Sequence, residues 1–473
     1  MTAARERQSQ AARAVVESAR TGAVPLLALV CALPAMLALL GSDEGVPAAV
    51  TLLSLGGLGL ATVALSASRE EWRVVASVFC VALVLRGLAA SFIYHWNPAF
   101  FSLDQGPYFR SGASLAAEWH AAGAMPSLDW LVGGAGNHFA EMWALLSYFV
   151  GPSQLALRFA TGVVGAYTAV RIYVLARETF GEKAGRWAGW MAACWPSFIV
   201  WSAQGLRDPL LIWLWCEVGI GVVRLNRGRA GRGLVGIALA MYGLTLLRPY
   251  AAVLAGLGAA LAFLVSATRG AKTAKLLGLV VVGTALLVAG LGFMGSDFLA
   301  EKDLETAVSI HRSFSRGGSA FAISADISTY GAAALYLPLG LAYFLLAPFP
   351  WQSGSALQMS TMLEQPTWYL VLVLAGIGCA AAWRRARSEG LSVLATGLPA
   401  VLFYSLVMSN VGTGYRDKAQ VVPFVFAYAA HGLVLWRAER AARRRCLLGL
   451  QPRRGDVGSA PAVFKRQGGG HGA

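Results

Sequence analysis

Apolar runs of membrane-spanning length recur along nearly the whole chain, with short polar stretches between them. A bilayer core needs a run of about 20 apolar residues. The backbone inside lipid must satisfy its own hydrogen bonds, so each such run is expected to be a helix. Spans are expected at about 23–41, 48–66, 74–94, 155–176, 186–203, 209–223, 233–247, 250–267, 276–295, 367–383, 390–408 and 420–436. The pattern predicts an all-α polytopic membrane protein with about 12 (11–13) transmembrane helices. One embedded domain covers 23–436, between an N-terminal tail, 1–22, and a basic tail, 437–473, with Gly468, Gly469 and Gly470 near its end, expected to be disordered.

Basic clusters orient the spans. They fall at Arg69 and Arg73; Arg177, Lys183 and Arg186; Arg224 to Arg232; Arg269, Lys272 and Lys275; Arg384, Arg385 and Arg387; and Arg437 to Arg445. Each neighbouring pair encloses enough apolar sequence for a helical hairpin. Placing every cluster in the cytoplasm puts both termini there, in a multi-pass protein of the plasma membrane. Residues 331–349 are also apolar enough to span, but one more crossing would put the last basic clusters outside. With Pro338, Pro348 and Pro350, this segment is expected to be re-entrant or to lie on the outer surface; the alternative is a full crossing paired with another nearby.

Composition agrees with this class. The 473 residues are 57% hydrophobic and only 13% charged, against about 25% charged in soluble domains. The net charge of +15 sits at the ends of apolar runs, so it reads as positive-inside bias and excludes nucleic acid as a partner. Cys31, Cys80, Cys194, Cys216 and Cys379 lie in apolar runs and Cys446 in the tail, with no zinc-ligand spacing; they read as small core residues. Arg5, Arg7, Arg13 and Arg20 precede the first apolar run, which Ser42, Asp43 and Glu44 follow, as expected of a retained span and not a cleaved signal.

Two outer loops are long, about 95–154 and about 297–330, and hold His95, His120, His138 and His311. Long loops concentrate function. The first contains an apolar stretch, 139–150, too short to span and suited to an interfacial helix. It opens on Asp104, followed by Tyr108 and flanked by Phe100, Phe101 and Phe109. A carboxylate that loses water at an apolar boundary holds a proton more readily, which suits a general base acting on a hydroxyl. A turn-forming Asp ahead of Gly106-Pro107 is the structural alternative.

The next outer turn carries Arg207-Asp208-Pro209, where Asp208 is expected to cap the following helix with Pro209 in its first turn. Arg207 and Asp208 either pair with each other or bind a phosphate or metal. Arg248, in Leu247-Arg248-Pro249-Tyr250, and Arg416, in Gly414-Tyr415-Arg416-Asp417-Lys418, face the same side. Positive-inside bias should strip arginine from outer turns, so arginines kept there point to an anionic ligand, and the planar guanidinium suits phosphate oxygens. Arg86, Arg158 and Arg171, in or near spans, are expected to snorkel to headgroups, and Glu217, mid-span, needs a partner. No Lys-bearing phosphate loop, His-Glu-x-x-His or Gly-x-Ser-x-Gly motif occurs.

The stretch from about 100 to 265 resembles the GT-C superfamily of polyprenyl-phosphate-sugar-dependent glycosyltransferases, which includes protein O-mannosyltransferases and aminoarabinose transferases of the cell envelope. The likeness rests on the order of short pieces. Asp104 and Tyr108 come first, then Phe149-Val150-Gly151-Pro152-Ser153 through Phe159, and Tyr173 through Gly181. Arg207-Asp208 and Leu247-Arg248-Pro249-Tyr250 follow, with Gly414-Tyr415-Arg416 before Pro423 as the last outer loop.

The resemblance implies Asp104 as catalytic base and Asp208 as a second acid. The oligosaccharyltransferase branch has a metal-binding acidic pair there. Here only Arg207 and Pro209 flank Asp208, so a divalent metal is left unassigned. The expected activity is transfer of a sugar from a polyprenyl-phosphate donor to an acceptor hydroxyl on the extracytoplasmic side, inverting the anomeric centre. Arg207, Arg248, Arg416 and Tyr108 would bind the lipid phosphate. The acceptor class stays open among a cell-wall polymer, a glycolipid, a protein and a secreted metabolite. The competing readings are a polymerase or ligase acting on lipid-linked oligosaccharide, and a transporter or lipid flippase, which would be expected to show paired broken helices in two similar halves.

Overall fold

A computed structural model describes residues 44–96, 105–132, 136–265, 283, 329–349, 351, 362–384, 388–407 and 411–448. The expected span 23–41, all of 276–295 but Gly283, the loop residues His311, Arg312 and Arg316, and Asp104 lie outside them. Among the described residues the chain is helical, with no strand.

The helices are α1 (Gly45–Ser66), α2 (Arg69–Trp96), α3 (Gln105–Ala121), α4 (Phe139–Val150), α5 (Gln154–Phe180), α6 (Glu182–Cys194) and α7 (Pro196–Ser202). Then follow α8 (Asp208–Asn226), α9 (Ala230–Leu247), α10 (Pro249–Val265), α11 (Tyr330–Leu346), α12 (Gln365–Arg384), α13 (Ser388–Val407) and α14 (Val411–Leu447). Among the described residues, seven helices are long and apolar enough to cross a membrane: α1, α2, α5, α9, α12, α13 and α14. α8 is 19 residues long but carries Asp208, Glu217 and Arg224. α10 and α11 have 17 residues each, which at 1.5 Å per residue is about 25 Å. α14 continues to Leu447, past the expected span end at 436, because the residues from Arg437 onward are almost all Arg, Ala, Glu and Leu, strong helix formers.

α5 is the hub, packed by α1, α2, α6, α8 and α14. Ser153 caps it by accepting from the Ala156 N–H at 3.0 Å, and Glu44 accepts from Leu155 N–H at 3.2 Å. α12 and α14 approach backbone to backbone: a Cβ on Gly378 would collide with the Tyr428 carbonyl and one on Gly432 with the Leu374 carbonyl. Small residues allow this proximity where lipid offers no hydrophobic drive for association.

The expected span 186–203 is two helices, not one. Pro196 has no N–H to continue the ladder and holds Trp195 in an extended conformation, so α6 ends at Cys194 and α7 begins anew. The carbonyls freed by the break are not left bare. Arg86 of α2 donates to Ala192 O and Ala193 O, each at 3.1 Å. Arg158 of α5 donates to Ala203 O at 3.5 Å, beyond the end of α7. These two arginines are buried among helices and do not snorkel. Arg171 does not either: it forms a two-pronged pair with Glu217, Nε to Oε1 at 2.5 Å and Nη2 to Oε2 at 2.8 Å. That pair, with the Trp213 indole at 2.8 Å, supplies the partner that Glu217 required. Of the cysteines expected in the core, Cys80 and Cys216 are buried while Cys194 is exposed on the bundle surface.

The bundle has two chemically different ends. At one, Glu178 gathers Arg224 at 2.8 Å and Arg177 and Arg229 at 3.8 Å, and Arg227 stands 3.6 Å from Glu389. At the other lie the 204–207 turn, the α9–α10 turn and the start of α14. The 139–150 stretch forms α4, which packs on α3 with Trp143 against Gly112 and the Tyr108 and Phe139 rings 5.1 Å apart. Gly136 and His138 tie this pair to the end of α9 through N–H bonds to Thr245 O and Leu246 O.

Candidate active site

Two turns and the start of α14, distant in sequence, meet at that second end, and each brings an arginine; the expected last outer loop around Arg416 is helical, since Val411–Leu447 form one helix. The first is the 204–207 turn, where Gly205 at φ +68° reverses the chain between α7 and α8. Arg207, not Asp208, is the N-cap of α8, and no side chain caps that helix. Asp208 falls in the first helical turn and is fully buried. Its Oδ2 accepts from Arg416 Nη2 at 2.8 Å, a stronger partner than a backbone amide. The expected cap is therefore replaced by an ion pair across the bundle. Arg207 and Asp208 do not pair with each other: Arg207 Nη1 donates to Leu247 O at 2.8 Å, and its guanidinium lies 5.9 Å from the Tyr108 ring centre.

The second turn holds Arg248, whose Nη1 donates to Asp417 Oδ1 at 2.8 Å and whose guanidinium lies 5.2 Å from the Tyr250 ring. The third is the start of α14, where Arg416 lies 5.9 Å from the Trp201 ring of α7. Asp417 is further held by Gln420 Nε2 at 3.1 Å, and Gln420 Oε1 accepts from Tyr404 at 3.0 Å and Trp215 at 3.1 Å. This buried relay fixes the Asp417 carboxylate, and through it Arg248.

Among the described residues the charges of this cluster do not cancel. Arg248 and Arg416 each have an aspartate, whereas Arg207 has a carbonyl and an aromatic face. Burial lowers the Arg207 pKa, and the neighbouring Arg248 cation lowers it further. Among the described residues three cations face two carboxylates there, and two of the cations repel each other, an arrangement that an anion would stabilise.

The structure thus brings together Tyr108, Arg207, Asp208, Arg248 and Arg416, five of the six residues singled out from sequence. The sixth, Asp104, is the residue before Gln105 and is outside the described residues. Two other acids and bases of the first outer loop are engaged elsewhere: Asp129 accepts from Ser127 at 2.8 Å, and His138 Nδ1 lies 3.2 Å from Glu141. Sequence reasoning missed Asp417. Its signal was available, since Arg416-Asp417 repeats the Arg207-Asp208 dipeptide, and the aspartate of each dipeptide bonds to an arginine distant in sequence.

Next to this site, along the seam of α7 and α14, a second polar group was also missed. Glu364 accepts from the Ser197 N–H at 2.7 Å and from its hydroxyl at 3.0 Å. Burial raises the Glu364 pKa against the opposing effect of these bonds. Lys418 donates to Ala347 O at 3.1 Å and sits 4.7 Å from the Tyr415 ring and 5.4 Å from the Trp368 ring. A small cavity lies between them.

Residues 139–291 match the model of the dolichyl-phosphate-mannose-protein mannosyltransferase family. That stretch contains Arg207, Asp208 and Arg248 and stops short of Arg416. Over 82% of this chain the fold matches the archaeal oligosaccharyltransferase AglB from Archaeoglobus fulgidus, solved with an inhibitory peptide and a dolichol-phosphate, at TM-score 0.50 and 14% identity. The chain has the GT-C fold. A crystal structure of an Archaeoglobus fulgidus oligosaccharyltransferase, tethered to an acceptor peptide containing the NVT sequon, covers 83% of this chain at TM-score 0.47 and 12% identity. This chain spans about half the length of these structures, 53% and 52%. No curated protein sequence matches it. The family and the GT-C structural neighbour are both glycosyltransferases. Among the described residues no three of His, Cys, Asp and Glu gather into a group that could hold a metal ion.

Proposed function

We propose that the protein is an integral membrane glycosyltransferase. It moves a sugar from a polyprenyl-phosphate donor to an acceptor hydroxyl on the extracytoplasmic side of the plasma membrane, with both termini in the cytoplasm. The observation that carries the reading is the meeting of Arg207, Arg248 and Arg416 at the end of the bundle opposite the basic clusters, where among the described residues Arg248 and Arg416 pair with carboxylates and Arg207 bonds a carbonyl.

In this reading the donor phosphate enters beside Arg207, the arginine without a carboxylate. Arg248 and Arg416 are held in place by Asp417 and Asp208 and add positive field from fixed positions. Asp104 takes the proton from the acceptor hydroxyl, whose oxygen attacks the anomeric carbon. The bond from that carbon to the phosphate oxygen breaks, and its electron pair leaves on the phosphate. Such direct displacement inverts the anomeric centre. Fixed cations stabilise the charge as it builds on the leaving phosphate, and base assistance adds a factor of about 10²–10⁴. Asp208, committed to Arg416, serves as a positioning residue and not as a second base.

The test uses the full chain in lipid nanodiscs with polyprenyl phosphate carrying labelled mannose, glucose or aminoarabinose, and a membrane extract as acceptor source. Label should move from at least one lipid donor to an acceptor, and Arg207→Ala should suppress that movement. Absence of transfer from every donor would overturn the reading.

A further inference from the structure

The first turn of α3 rests on the 204–207 turn: Tyr108 lies against Arg207, and the Gln105 amide lies against Gly205, where a Cβ would come within 3.2 Å of Nε2. Two glutamines border this contact in the chain. Gln105 is 1% exposed and Gln204, the residue before Gly205, is 0% exposed. Among the described residues neither amide oxygen nor either amide nitrogen has a hydrogen-bond partner. Asp208 Oδ1, four residues further on, also has none. Buried polar groups are normally bonded, and unpaired ones on the very segments that carry a site call for an occupant.

The chemistry of the set defines that occupant. Each amide offers two donors and an acceptor with two lone pairs, and the free aspartate oxygen offers only acceptors. A second phosphate would be repelled by the carboxylate and would leave the amide oxygens unpaired. A neutral ligand bearing several hydroxyls satisfies all of them, because each hydroxyl both donates and accepts. We infer that Gln105 and Gln204 read the hydroxyls of the sugar ring carried by the lipid donor, with Asp208 Oδ1 completing the set. This rests on the glycosyltransferase reading and extends it from the phosphate to the sugar: the arginines hold the anion that all donors share, and the two amides tell one sugar from another. Amides built to pair with hydroxyls also reject an analogue that lacks them, since they would then stay buried and unpaired.

The experiment measures binding of two probes to the full chain in nanodiscs: bare polyprenyl phosphate, and polyprenyl phosphate bearing mannose, glucose or aminoarabinose. Wild type should bind its preferred sugar-bearing probe more tightly than the bare phosphate. Gln204→Met and Gln105→Met keep the size of the side chain and remove the amide. Each should shrink that preference about tenfold, the worth of one or two hydrogen bonds, and leave bare-phosphate binding unchanged. Thermal stability should hold or rise, because an unpaired buried amide has been removed. Gln204→Asn, which keeps the amide and shortens its reach, should lose part of the preference and serves if the Met variants fail to fold. A preference retained in full by the variants, together with lowered thermal stability, would assign the amides to the fold and overturn the inference. Binding of neither probe by wild type would overturn the glycosyltransferase reading first, and this inference with it.

Discussion

Arg416 and Asp208, 208 residues apart in sequence, are joined by a 2.8 Å bond from Nη2 to Oδ2. The pair locks the start of α14 onto the start of α8 and fixes one cation of the site. Removing either partner strips the other of a charge-assisted hydrogen bond inside the bundle, which costs about 3–5 kcal/mol. Arg416→Met and Asp208→Leu should each lower the unfolding temperature in detergent. The double variant Arg416→Met/Asp208→Leu should regain most of the loss, since a buried pair replaced by apolar groups is often neutral, and should remain inactive. Additive losses in the double variant would show that the pair is not coupled.

Arg248 has a structural as well as an electrostatic duty. Because its Nη1 bonds the buried Asp417 carboxylate, Arg248→Ala should reduce folded protein along with turnover. Arg248→Ala/Asp417→Asn should restore thermal stability without restoring transfer, and Arg248→Lys should recover only part of either, since an ammonium lacks the planar fork. Full transfer by the stabilised double variant would reduce Arg248 to a scaffold residue.

Arg207 behaves differently, having a carbonyl and an aromatic ring as partners. Arg207→Ala should leave thermal stability close to wild type while weakening inhibition by polyprenyl phosphate strongly; Arg207→Lys should bind at an intermediate level. Inhibition constants across the three proteins check this. Unchanged inhibition in Arg207→Ala would move the phosphate elsewhere.

Among the described residues the sequence pattern located most of the long helices, because apolar length and basic clusters are independent signals that agree. It misplaced the interior of 186–203, where Pro196 sits inside a single apolar run. What accommodates the break is Arg86, far off in sequence, and no local pattern announces that contact. Single arginines and acids at turns were legible, since polar residues at the ends of apolar runs stand out. Their partners were not: Asp208 finds Arg416 and Arg248 finds Asp417 only through the packing of α8, α9 and α14. Gln105 and Gln204 were invisible for the same reason, because a neutral amide near a helix end carries no signal until its burial is known.

Glu364 adds a pH signature. Its pKa is raised above the ordinary glutamate value of 4.5, chiefly by burial. The folded protein therefore holds this proton more tightly than the unfolded chain. Its contribution is fully present below the ordinary value and is lost as pH rises through the raised one. Glu364→Gln, which still accepts from the Ser197 N–H, should flatten that part of the stability–pH curve. Thermal melts from pH 4 to pH 8, about the span over which carboxyl groups shifted by burial titrate, compare the two proteins. An unaltered slope in the variant would assign the pH dependence to other carboxylates.

The central claim is transfer from a lipid-phosphate sugar with Asp104 as base, and the rate of Asp104→Asn measures it most directly. Asn replaces a turn-forming Asp well, since both side chains bond backbone amides, but it accepts no proton. With the full chain in nanodiscs and labelled polyprenyl-phosphate sugar, Asp104→Asn should melt at the wild-type temperature and bind polyprenyl phosphate normally, while transfer falls by about 10²–10⁴. Transfer at the wild-type rate in this variant would contradict the account.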